Sequence, residues 1–327
     1  MKRIEQGWYS WSPLTLLLLP LSVIFCLLVA LRQRLYRLGL IKSHRLAVPV
    51  IVVGNITVGG TGKTPVVIWL ARWLRERGLH PGVITRGYGG QSAHWPRRVE
   101  SDTPALEVGD EALLLRRRSH CPVYAGPKRY QSGRKLLAEH PCDIIIADDG
   151  LQHYALQRDL ELAVIDGERR FGNGLCLPAG PLRETQQRLN RVDLILVNGR
   201  AGQGEHPMRV IGDQAISVNG RQQTRPLKAF AGKSVAAVAG IGNPERFFSM
   251  LESAGVKITR HLFPDHHLFN REDLAPLEGR TVLMTEKDAV KCEAFAGDDV
   301  WYVPADATFE TTFTQQLALL IDRLTHG

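Results

Sequence analysis

The chain has 327 residues, of which 44% are hydrophobic, 23% charged and 7% aromatic. This composition is close to the globular average and excludes a disordered, a collagen-like and a multi-span membrane protein, while the length predicts two domains or one large domain with an appendage. Lys and Arg number 41 against 33 Asp and Glu, so the net charge of +8 indicates an anionic partner, and the five scattered cysteines without a CxxC pair indicate neither a disulfide framework nor a zinc site.

The first predicted element is a hydrophobic helix that associates with a membrane, within an N-terminal segment of residues 1–45. Residues 14–31 are almost wholly apolar, and as a helix they would be about 27 Å long, just short of the roughly 30 Å hydrocarbon core, with a kink at Pro20. Basic residues around this segment outnumber the single acid Glu5 and would attract anionic headgroups. They are Lys2, Arg3, Arg32, Arg34, Arg37, Lys42 and Arg45. A cleavable signal peptide and a buried core helix are the alternatives, and whether the helix spans or dips into the bilayer stays open.

After Arg45 the chain alternates short β-branched runs with amphipathic segments, which predicts an α/β fold with a mostly parallel sheet flanked by helices. Strands are predicted at 50–53, 83–85, 123–125, 144–147, 162–165, 194–197, 235–239, 258–263, 282–285 and 300–303. A helix is predicted after the first strand and another at 311–324. Residues 199–207 are predicted to form a loop. The polar stretch at 219–226 predicts a boundary between a larger domain, 46–222, and a smaller α/β domain, 223–327.

The segment between the first strand and the helix after it has the composition of a P-loop, which binds nucleotide phosphates. Its candidate nucleotide-binding residues are Gly59, Gly60, Thr61, Gly62, Lys63 and Thr64. Glycines let backbone N–H groups converge on phosphate oxygens, Lys63 would reach the β and γ phosphates, and the Thr64 hydroxyl would ligate Mg²⁺. The strict P-loop pattern G-x-x-x-x-G-K-[ST] begins with glycine at the position where this chain has Thr57. The alternative to a P-loop is a glycine-rich turn without a phosphate-binding function.

Two carboxylates end the apolar run at 144–147, as they do at the end of a Walker B strand. Asp148 and Asp149 are candidate Mg²⁺ ligands, directly or through water, because the carboxyl edge of the sheet would place them near the P-loop. Adjacent residues of an extended strand point to opposite faces, so both cannot play one role if the strand continues there. A turn that ends the strand is the alternative.

Two further groups of side chains are candidates for proton handling. Asp110 follows Gly109 and opens a short helix, where an acid is also a common cap. Asp265 precedes His266 and His267 between aromatic residues. A His oriented by a carboxylate is a standard proton-handling unit, although a polar surface turn would look the same.

Seven strings occur along the chain in the order typical of one family: VGNITVGGTGKTP, TRGYGG, GDEALLL, DDGLQHYALQRDLELAVID, FGNGLCLPAGPLRE, FPDHHLF and MTEKDAVK. On these strings the sequence resembles the tetraacyldisaccharide 4'-kinases, or lipid A 4'-kinases, of Gram-negative bacteria. The resemblance implies a P-loop NTPase-type kinase core over which the smaller domain closes. It implies that ATP and Mg²⁺ are used to phosphorylate the 4'-hydroxyl of a tetraacylated glucosamine disaccharide 1-phosphate, giving lipid IVA and ADP. A monotopic helix among lipids at the cytoplasmic face of the inner membrane is also implied, and we expect a monomer.

The resemblance also implies roles for individual residues. The catalytic residues would be Asp110, His266 and Asp265, the metal-binding residues Thr64, Asp148, Asp149 and Glu184, and the substrate-binding residues Arg86, Tyr88 and Arg183. In this scheme Asp110 is the base, and His266 of the smaller domain assists it. Nucleotide phosphates would bind at residues 59–64.

Two other functions fit parts of the sequence. A membrane-peripheral P-loop ATPase or GTPase that acts as a switch would share the phosphate-binding segment, and the string TEKD at 285–288 faintly resembles the guanine-reading N-K-x-D string. A nucleic-acid-binding protein is suggested only by the net charge. We expect no nucleic acid partner, because the basic residues are not interleaved with aromatic residues in any one segment.

Overall fold

The computed structural model of the chain describes residues 7–10, 12–219 and 223–326. These residues form two sheets, of nine and six strands, with helices packed on them and one long helix ahead of the first sheet. The predicted α/β fold with a second, smaller sheet is confirmed. Lys2, Arg3 and Glu5 of the predicted N-terminal segment, and residues 220–222 at the predicted boundary, lie outside the described residues.

The N-terminal helix α1 (Pro13–Arg37) has 25 residues and is apolar enough to cross a membrane, judged by length and composition alone. Ser12 caps its N-terminus, and Pro20 lies inside it. In its apolar window 11% of the residues are buried, so the alternative of a core helix is wrong. The helix contacts the rest of the chain through Phe25 and Cys26, which pack against the core of the larger sheet, and through Ser22, whose hydroxyl donates a hydrogen bond to the Cys176 carbonyl at 2.7 Å.

The strands of the described residues are, in chain order, β1 (Val50–Gly54), β2 (Pro81–Thr85), β3 (Arg97–Val99), β4 (Val123–Ala125), β5 (Ile144–Asp148), β6 (Leu160–Asp166), β7 (Leu194–Asn198), β8 (His206–Ile211), β9 (Gln214–Ser217), β10 (Thr224–Pro226), β11 (Ser234–Ala239), β12 (Lys257–Leu262), β13 (Val282–Thr285), β14 (Val300–Val303) and β15 (Asp306–Phe309). The larger sheet has the order β15-β8-β7-β6-β1-β5-β2-β4-β3, and the smaller sheet β10-β9-β14-β13-β11-β12. The larger sheet is parallel except at its two edges, where β3 and β15 pair antiparallel. Each strand predicted from the sequence is present.

The helices that follow α1 are α2 (Lys63–Glu76), α3 (Ala105–Val108), α4 (Asp110–Ser119), α5 (Arg129–Glu139), α6 (Pro244–Ser253), α7 (Arg271–Leu274), α8 (Glu286–Ala289) and α9 (Thr311–His326). Helix α2 buries Val66, Leu70 and Leu74 in the core of the larger sheet, at the spacing predicted from the sequence. Each such side chain contributes about 1.5–3 kcal/mol when fully buried. This face therefore fixes α2, and with it the segment of residues 55–62 that precedes it, which we term the phosphate loop.

The two sheets do not divide the chain at the predicted boundary between residues 222 and 223. Strand β9 lies before that boundary but pairs with β10 and β14 of the smaller sheet, whereas β15 lies near the C-terminus but pairs with β8 of the larger one. Helix α9 then packs Phe313, Leu317 and Ile321 into the core of the larger sheet. The predicted loop at 199–207 likewise ends early, because β8 begins at His206. We term the nine-stranded sheet with the elements that pack on it the larger unit, and the six-stranded sheet with the elements that pack on it the smaller unit.

Candidate active site

A cavity of about 710 Å³ lies between the two units, at the carboxyl ends of the central strands of the larger sheet. Its walls come from the phosphate loop, the ends of β2 and β5, and the segments that follow β11 to β14 of the smaller unit. The predicted site residues in these walls are Gly59, Gly60, Thr61, Gly62, Lys63, Thr64, Arg86, Tyr88, Asp148, Asp149, Arg183, Asp265 and His266. The fold thus brings most of the predicted site together from distant parts of the chain.

The phosphate loop joins β1 to α2 and depends on glycine. Gly59 and Gly62 have φ angles of 101° and 99°, which residues with a side chain rarely adopt. A Cβ at Gly62 would lie 3.0 Å from Nδ2 of Asn198, whose amide donates to the Thr61 carbonyl at 3.4 Å. The loop directs the N-terminus of the 14-residue helix α2 into the cavity, where backbone N–H groups and the helix dipole favour anions such as phosphate.

Asp149 joins two cations of the cavity wall. Its carboxylate lies 3.6 Å from Nζ of Lys63 and 3.0 Å from Nη1 of Arg183. Burial would raise the pKa of Asp149, but Lys63 and Arg183 outweigh burial and lower the pKa to about 2. A φ angle of 48° at Asp149 turns the chain out of the strand direction, so its side chain no longer alternates with that of Asp148. Asp149 is therefore an anion that holds Lys63 and Arg183 beside the phosphate loop.

Asp148 is the last residue of β5 and is 2% exposed. It accepts a hydrogen bond from the Thr85 hydroxyl at 3.3 Å. Burial, together with the charges of Glu111 and Asp149, raises the pKa of Asp148 to about 7. A buried carboxylate beside other anions fits a divalent cation, because Mg²⁺ prefers oxygen ligands. Within the described residues no group of three or more His, Cys, Asp or Glu could hold a metal by itself, so phosphate oxygens and waters would complete a Mg²⁺ site.

Asp110 and His266 meet across the two units. Nδ1 of His266 lies 3.2 Å from Oδ1 of Asp110, and Nζ of Lys291 lies 3.6 Å from the other carboxylate oxygen. Burial would raise the pKa of Asp110, but the bond to His266 and the charge of Lys287 outweigh it and lower the pKa to about 2. Burial opposes protonation of His266, whereas the Asp110 carboxylate favours it, and the net effect raises the pKa of His266.

The two members of this pair differ in their access to the cavity. His266 lines the cavity, and its ring centroid is 4.7 Å from that of Tyr88. Asp110 is 5% exposed and is not among the described residues that line the cavity. The predicted base therefore stands behind the imidazole, in the position of a carboxylate that orients a His.

Glu184 does not lie with the predicted metal-binding residues, which corrects the sequence interpretation. It is absent from the cavity wall as far as the chain is described, and its carboxylate accepts a hydrogen bond from the Tyr154 hydroxyl. The other carboxylate oxygen of Glu184 lies 3.3 Å from Nε of Arg188. The neighbouring Arg183 points instead to Asp149. Arg183 and Glu184 are adjacent in sequence, but Arg183 contacts Asp149 of the cavity wall whereas Glu184 contacts Tyr154 and Arg188.

The cavity wall also contains charged residues that the sequence reasoning missed. Arg129 opens α5 and is 4% exposed, and burial lowers its pKa to about 10. Its guanidinium donates to the Asp149 carbonyl at 3.5 Å. Lys287 of the smaller unit forms an ion pair of 3.1 Å with Glu111 of the larger one. Arg129 belongs to no motif that would identify it from the sequence. Lys287 lies in the string TEKD, which the sequence alone relates to the guanine-reading string and not to the acceptor site.

Known proteins resemble the chain over nearly its whole length. A family model described as Tetraacyldisaccharide-1-P 4'-kinase matches residues 14–322. The chain is 51% identical over 320 residues to a tetraacyldisaccharide 4'-kinase of Nitrosococcus oceani, covering 98% of this chain and 94% of the relative. It is 49% identical over 323 residues to one of Methylobacillus flagellatus, covering 98% and 96%. A crystal structure of LpxK from Aquifex aeolicus in complex with ATP matches with a TM-score of 0.80 at 29% sequence identity, covering 95% of this chain and 99% of that chain.

Proposed function

The chain belongs to the tetraacyldisaccharide 4'-kinase family, and from this premise we propose how its own residues perform the reaction. It is a phosphotransferase that transfers the γ-phosphoryl group of ATP to the 4'-hydroxyl of a tetraacylated glucosamine disaccharide 1-phosphate, giving lipid IVA and ADP. The observation that carries the proposed mechanism is the cavity in which the phosphate loop faces His266 of the smaller unit. A switch that only hydrolyses its nucleotide is not favoured.

We assign the nucleotide phosphates to residues 59–64. The ammonium group of Lys63 neutralises charge on the β and γ phosphates, and backbone N–H groups at the start of α2 bind their oxygens. Asp148, the Thr64 hydroxyl and, through water, Asp149 would hold Mg²⁺, which neutralises phosphate charge when bound. The adenine base would pack on the apolar part of the wall, which is made of Ile68, Leu114, Val210, Phe247, Met250, Val303 and Pro304.

We assign the proton of the acceptor hydroxyl to the pair of Asp110 and His266. The imidazole lines the cavity, and the ionised carboxylate behind it stabilises the imidazolium that forms when Nε2 takes the proton. Asp265 adds a second anion, with Oδ1 3.9 Å from Nε2 of His266. Catalysis otherwise consists of positioning and of charge neutralisation, because the sugar hydroxyl is an ordinary nucleophile.

The lipid substrate would reach this cavity from the inner membrane, at whose cytoplasmic face we propose that the chain acts as a monomer. The exposed leucines of α1 and its basic flank support contact with anionic lipids. Arg32, near the end of α1, lines the cavity, so the helix and the site share a wall. Arg86, Tyr88 and Arg183 would contact the sugar or the phosphate groups.

The function is tested by incubating the protein with γ-labelled ATP and the 1-phosphorylated disaccharide lipid, and then locating the label. We expect label on the 4'-oxygen that depends on both Mg²⁺ and the lipid. A switch would instead release labelled phosphate from ATP or GTP without the lipid and leave the lipid unlabelled, and that result would reject the kinase.

A further inference from the structure

The segment TEKD, from Thr285 to Asp288, has no role in the function proposed above. Asp288 is 0% exposed, and its carboxylate accepts hydrogen bonds from the Gly240 N–H at 2.8 Å and the Thr285 hydroxyl at 2.6 Å. It also pairs with Lys291 at 2.8 Å. A carboxylate with these bonds is not available to read a nucleotide base, so the resemblance to the guanine-reading string carries no function. The bonds instead anchor the start of α8, whose residue Lys287 lines the cavity.

Lys287 contacts three groups of the candidate active site. Its Nζ lies 3.1 Å from Oε1 of Glu111, 3.4 Å from Oδ1 of Asp265 and 3.2 Å from Nε2 of His266. Burial opposes the charge of Lys287, but Glu111, Asp110 and Asp265 outweigh burial and raise its pKa above the usual value. Lys287 is therefore a charged ammonium group throughout the pH range in which a kinase is assayed.

The contact between Lys287 and His266 restricts where the imidazole proton lies. An ammonium group has only donors, so Nε2 of His266 must present its lone pair to Lys287. Hydrogen-bond geometry then assigns the proton of the neutral ring to Nδ1, which donates to Asp110 at 3.2 Å. A protonated Nε2 would bring two cations within 3.2 Å of each other. Lys287 therefore favours the unprotonated form of Nε2.

We propose that Lys287 is a positioning residue of the phosphoryl-transfer site, which opposes protonation of Nε2 of His266 in the free protein by donating to its lone pair, and which moves to the transferred phosphoryl group when the substrates bind. The proposal rests on the role assigned above to the pair of Asp110 and His266. A phosphate oxygen competes successfully with a neutral ring nitrogen for the ammonium group, because the negative charge on the oxygen adds Coulomb attraction to the hydrogen bond.

The exchange frees the Nε2 lone pair of His266 for the sugar hydroxyl. Transfer then forms the bond between the sugar oxygen and the γ-phosphorus, and breaks the bond from that phosphorus to the oxygen that leaves with ADP. The hydroxyl proton ends on Nε2, and the positive charge of Lys287 lies beside the phosphoryl group that is transferred.

The groups that face His266 determine how its titration depends on Lys287. They are Lys287 from α8, Asp110 from α4, Asp265 from the same loop, the ring of Tyr88 from the segment after β2, and Lys291 through its contact with Asp110. The two carboxylates favour the protonated imidazole, and Lys287 opposes it. Removal of the charge at residue 287 should therefore raise the pKa of His266, whereas arginine at this position should leave the pKa of His266 at its wild-type value.

The kinetic test compares Lys287→Met and Lys287→Arg in the full-length chain, with Lys257→Met, a change at an exposed lysine of β12, as the matched control. The pH profile of kcat/KM reports groups of the free enzyme, so Lys287→Met should move its acid limb to higher pH by about one unit or more. The kcat should fall by about 10- to 1,000-fold with less than about a threefold change in KM for ATP. Lys287→Arg should keep the limb in place and recover part of kcat, and Lys257→Met should match the wild type.

The pKa of His266 can also be measured in the free protein, without lipid. Nitrogen NMR of a sample labelled with ¹⁵N-histidine follows the titration, and the His266→Gln variant identifies the signals of His266. Lys287→Met should fold, because the side chains of Glu111 and Asp265 are 31% and 40% exposed and water can solvate them. We expect the neutral ring to carry its proton on Nδ1 and the pKa to rise in Lys287→Met. An unchanged titration, or a kcat within about threefold of the wild type, would overturn the proposal and leave the kinase function intact. Failure of the wild type to label the lipid would reject the kinase function itself, and the titration would still decide whether Lys287 controls the ring.

Discussion

Two adjacent carboxylates at the end of β5 have opposite electrostatic environments. Lys63 and Arg183 hold the pKa of Asp149 at about 2 against the effect of burial, whereas burial and neighbouring anions raise the pKa of Asp148 to about 7. The difference originates in the backbone, because the left-handed conformation of Asp149 turns its side chain to the cations. One residue of the pair can therefore hold cations of the protein while the other is suited to a metal ion.

The contact between Lys63 and Asp149 leads to a prediction about ATP binding. A triphosphate carries more negative charge than a carboxylate, so Lys63 should transfer from Asp149 to the β and γ phosphates when ATP binds. We expect Lys63→Ala to weaken ATP binding in calorimetry by about 10- to 100-fold. Lys228→Ala, at an exposed lysine of the smaller unit, is the matched control. An ATP affinity equal to that of the wild type would show that the phosphates bind elsewhere.

Asp110 should affect the chemical step and not nucleotide binding, because it acts through His266 at the acceptor side of the cavity. Asp110→Asn should lower kcat by about 100- to 10,000-fold with little change in ATP affinity. The chain offers a matched control in a second Asp and His pair, since Asp273 lies 2.9 Å from Nε2 of His267. Asp273→Asn should leave kcat unchanged. If kcat of Asp110→Asn stays within about threefold of the wild type, the proton is accepted by another group.

At the scale of elements, the sequence was informative where an element carries its own apolar pattern. The strands at 123–125, 282–285 and 300–303 have the bounds predicted from β-branched runs, and the phosphate loop was recognisable from its glycines. Strands β3, β8, β9, β10 and β15 are not predicted from the sequence, because strands without a run of β-branched residues pair as their neighbours dictate. The same limit applies to the site. A motif indicates Lys63, whereas only the folding of the smaller unit brings Lys287 to His266, and only the packing of the two units brings His266 to Asp110.

Helix α1 leads to a prediction about membrane binding, because it exposes most of its leucines to solvent while Ser22, Phe25 and Cys26 contact the rest of the chain. The side chains of Leu17 and Leu28 are exposed, at 73% and 60%, whereas Ser22 is buried against the Cys176 carbonyl. Replacing both leucines by glutamine in the full-length chain should weaken sedimentation with anionic vesicles at least about tenfold. A truncated chain that begins at Lys42 should partition into buffer without detergent. Replacing Leu17 and Leu28 by isoleucine is the control, because it keeps both side chains apolar. If the truncated chain still sediments with vesicles, other surfaces bind the membrane.

At the scale of the whole molecule, an arginine after β6 joins the two units beside the phosphate loop. Arg169 donates to the Gly60 carbonyl at 2.5 Å and to the Gly242 carbonyl of the smaller unit at 3.3 Å, while its Nε donates to Asp166 at 3.1 Å. Asp166 also accepts a hydrogen bond from Asn243 of the smaller unit at 3.1 Å. The conformation of the phosphate loop is therefore coupled to the position of the smaller unit, which carries His266 and Lys287.

This coupling predicts that Arg169→Lys will impair ATP binding although residue 169 is not among the described residues of the cavity wall. A lysine has no planar fork with which to bond Asp166 and both carbonyls, so the smaller unit should no longer be held in one position relative to the phosphate loop. We expect KM for ATP to rise about tenfold. The neighbouring Arg170 provides the matched control, because it forms a two-bond pair with Glu205, at 2.8 and 2.9 Å, within the larger unit. Arg170→Lys should weaken a partly exposed ion pair worth about 0–1 kcal/mol and keep the KM of the wild type. Equal KM values for the two variants would mean that the phosphate loop is ordered by the larger unit alone.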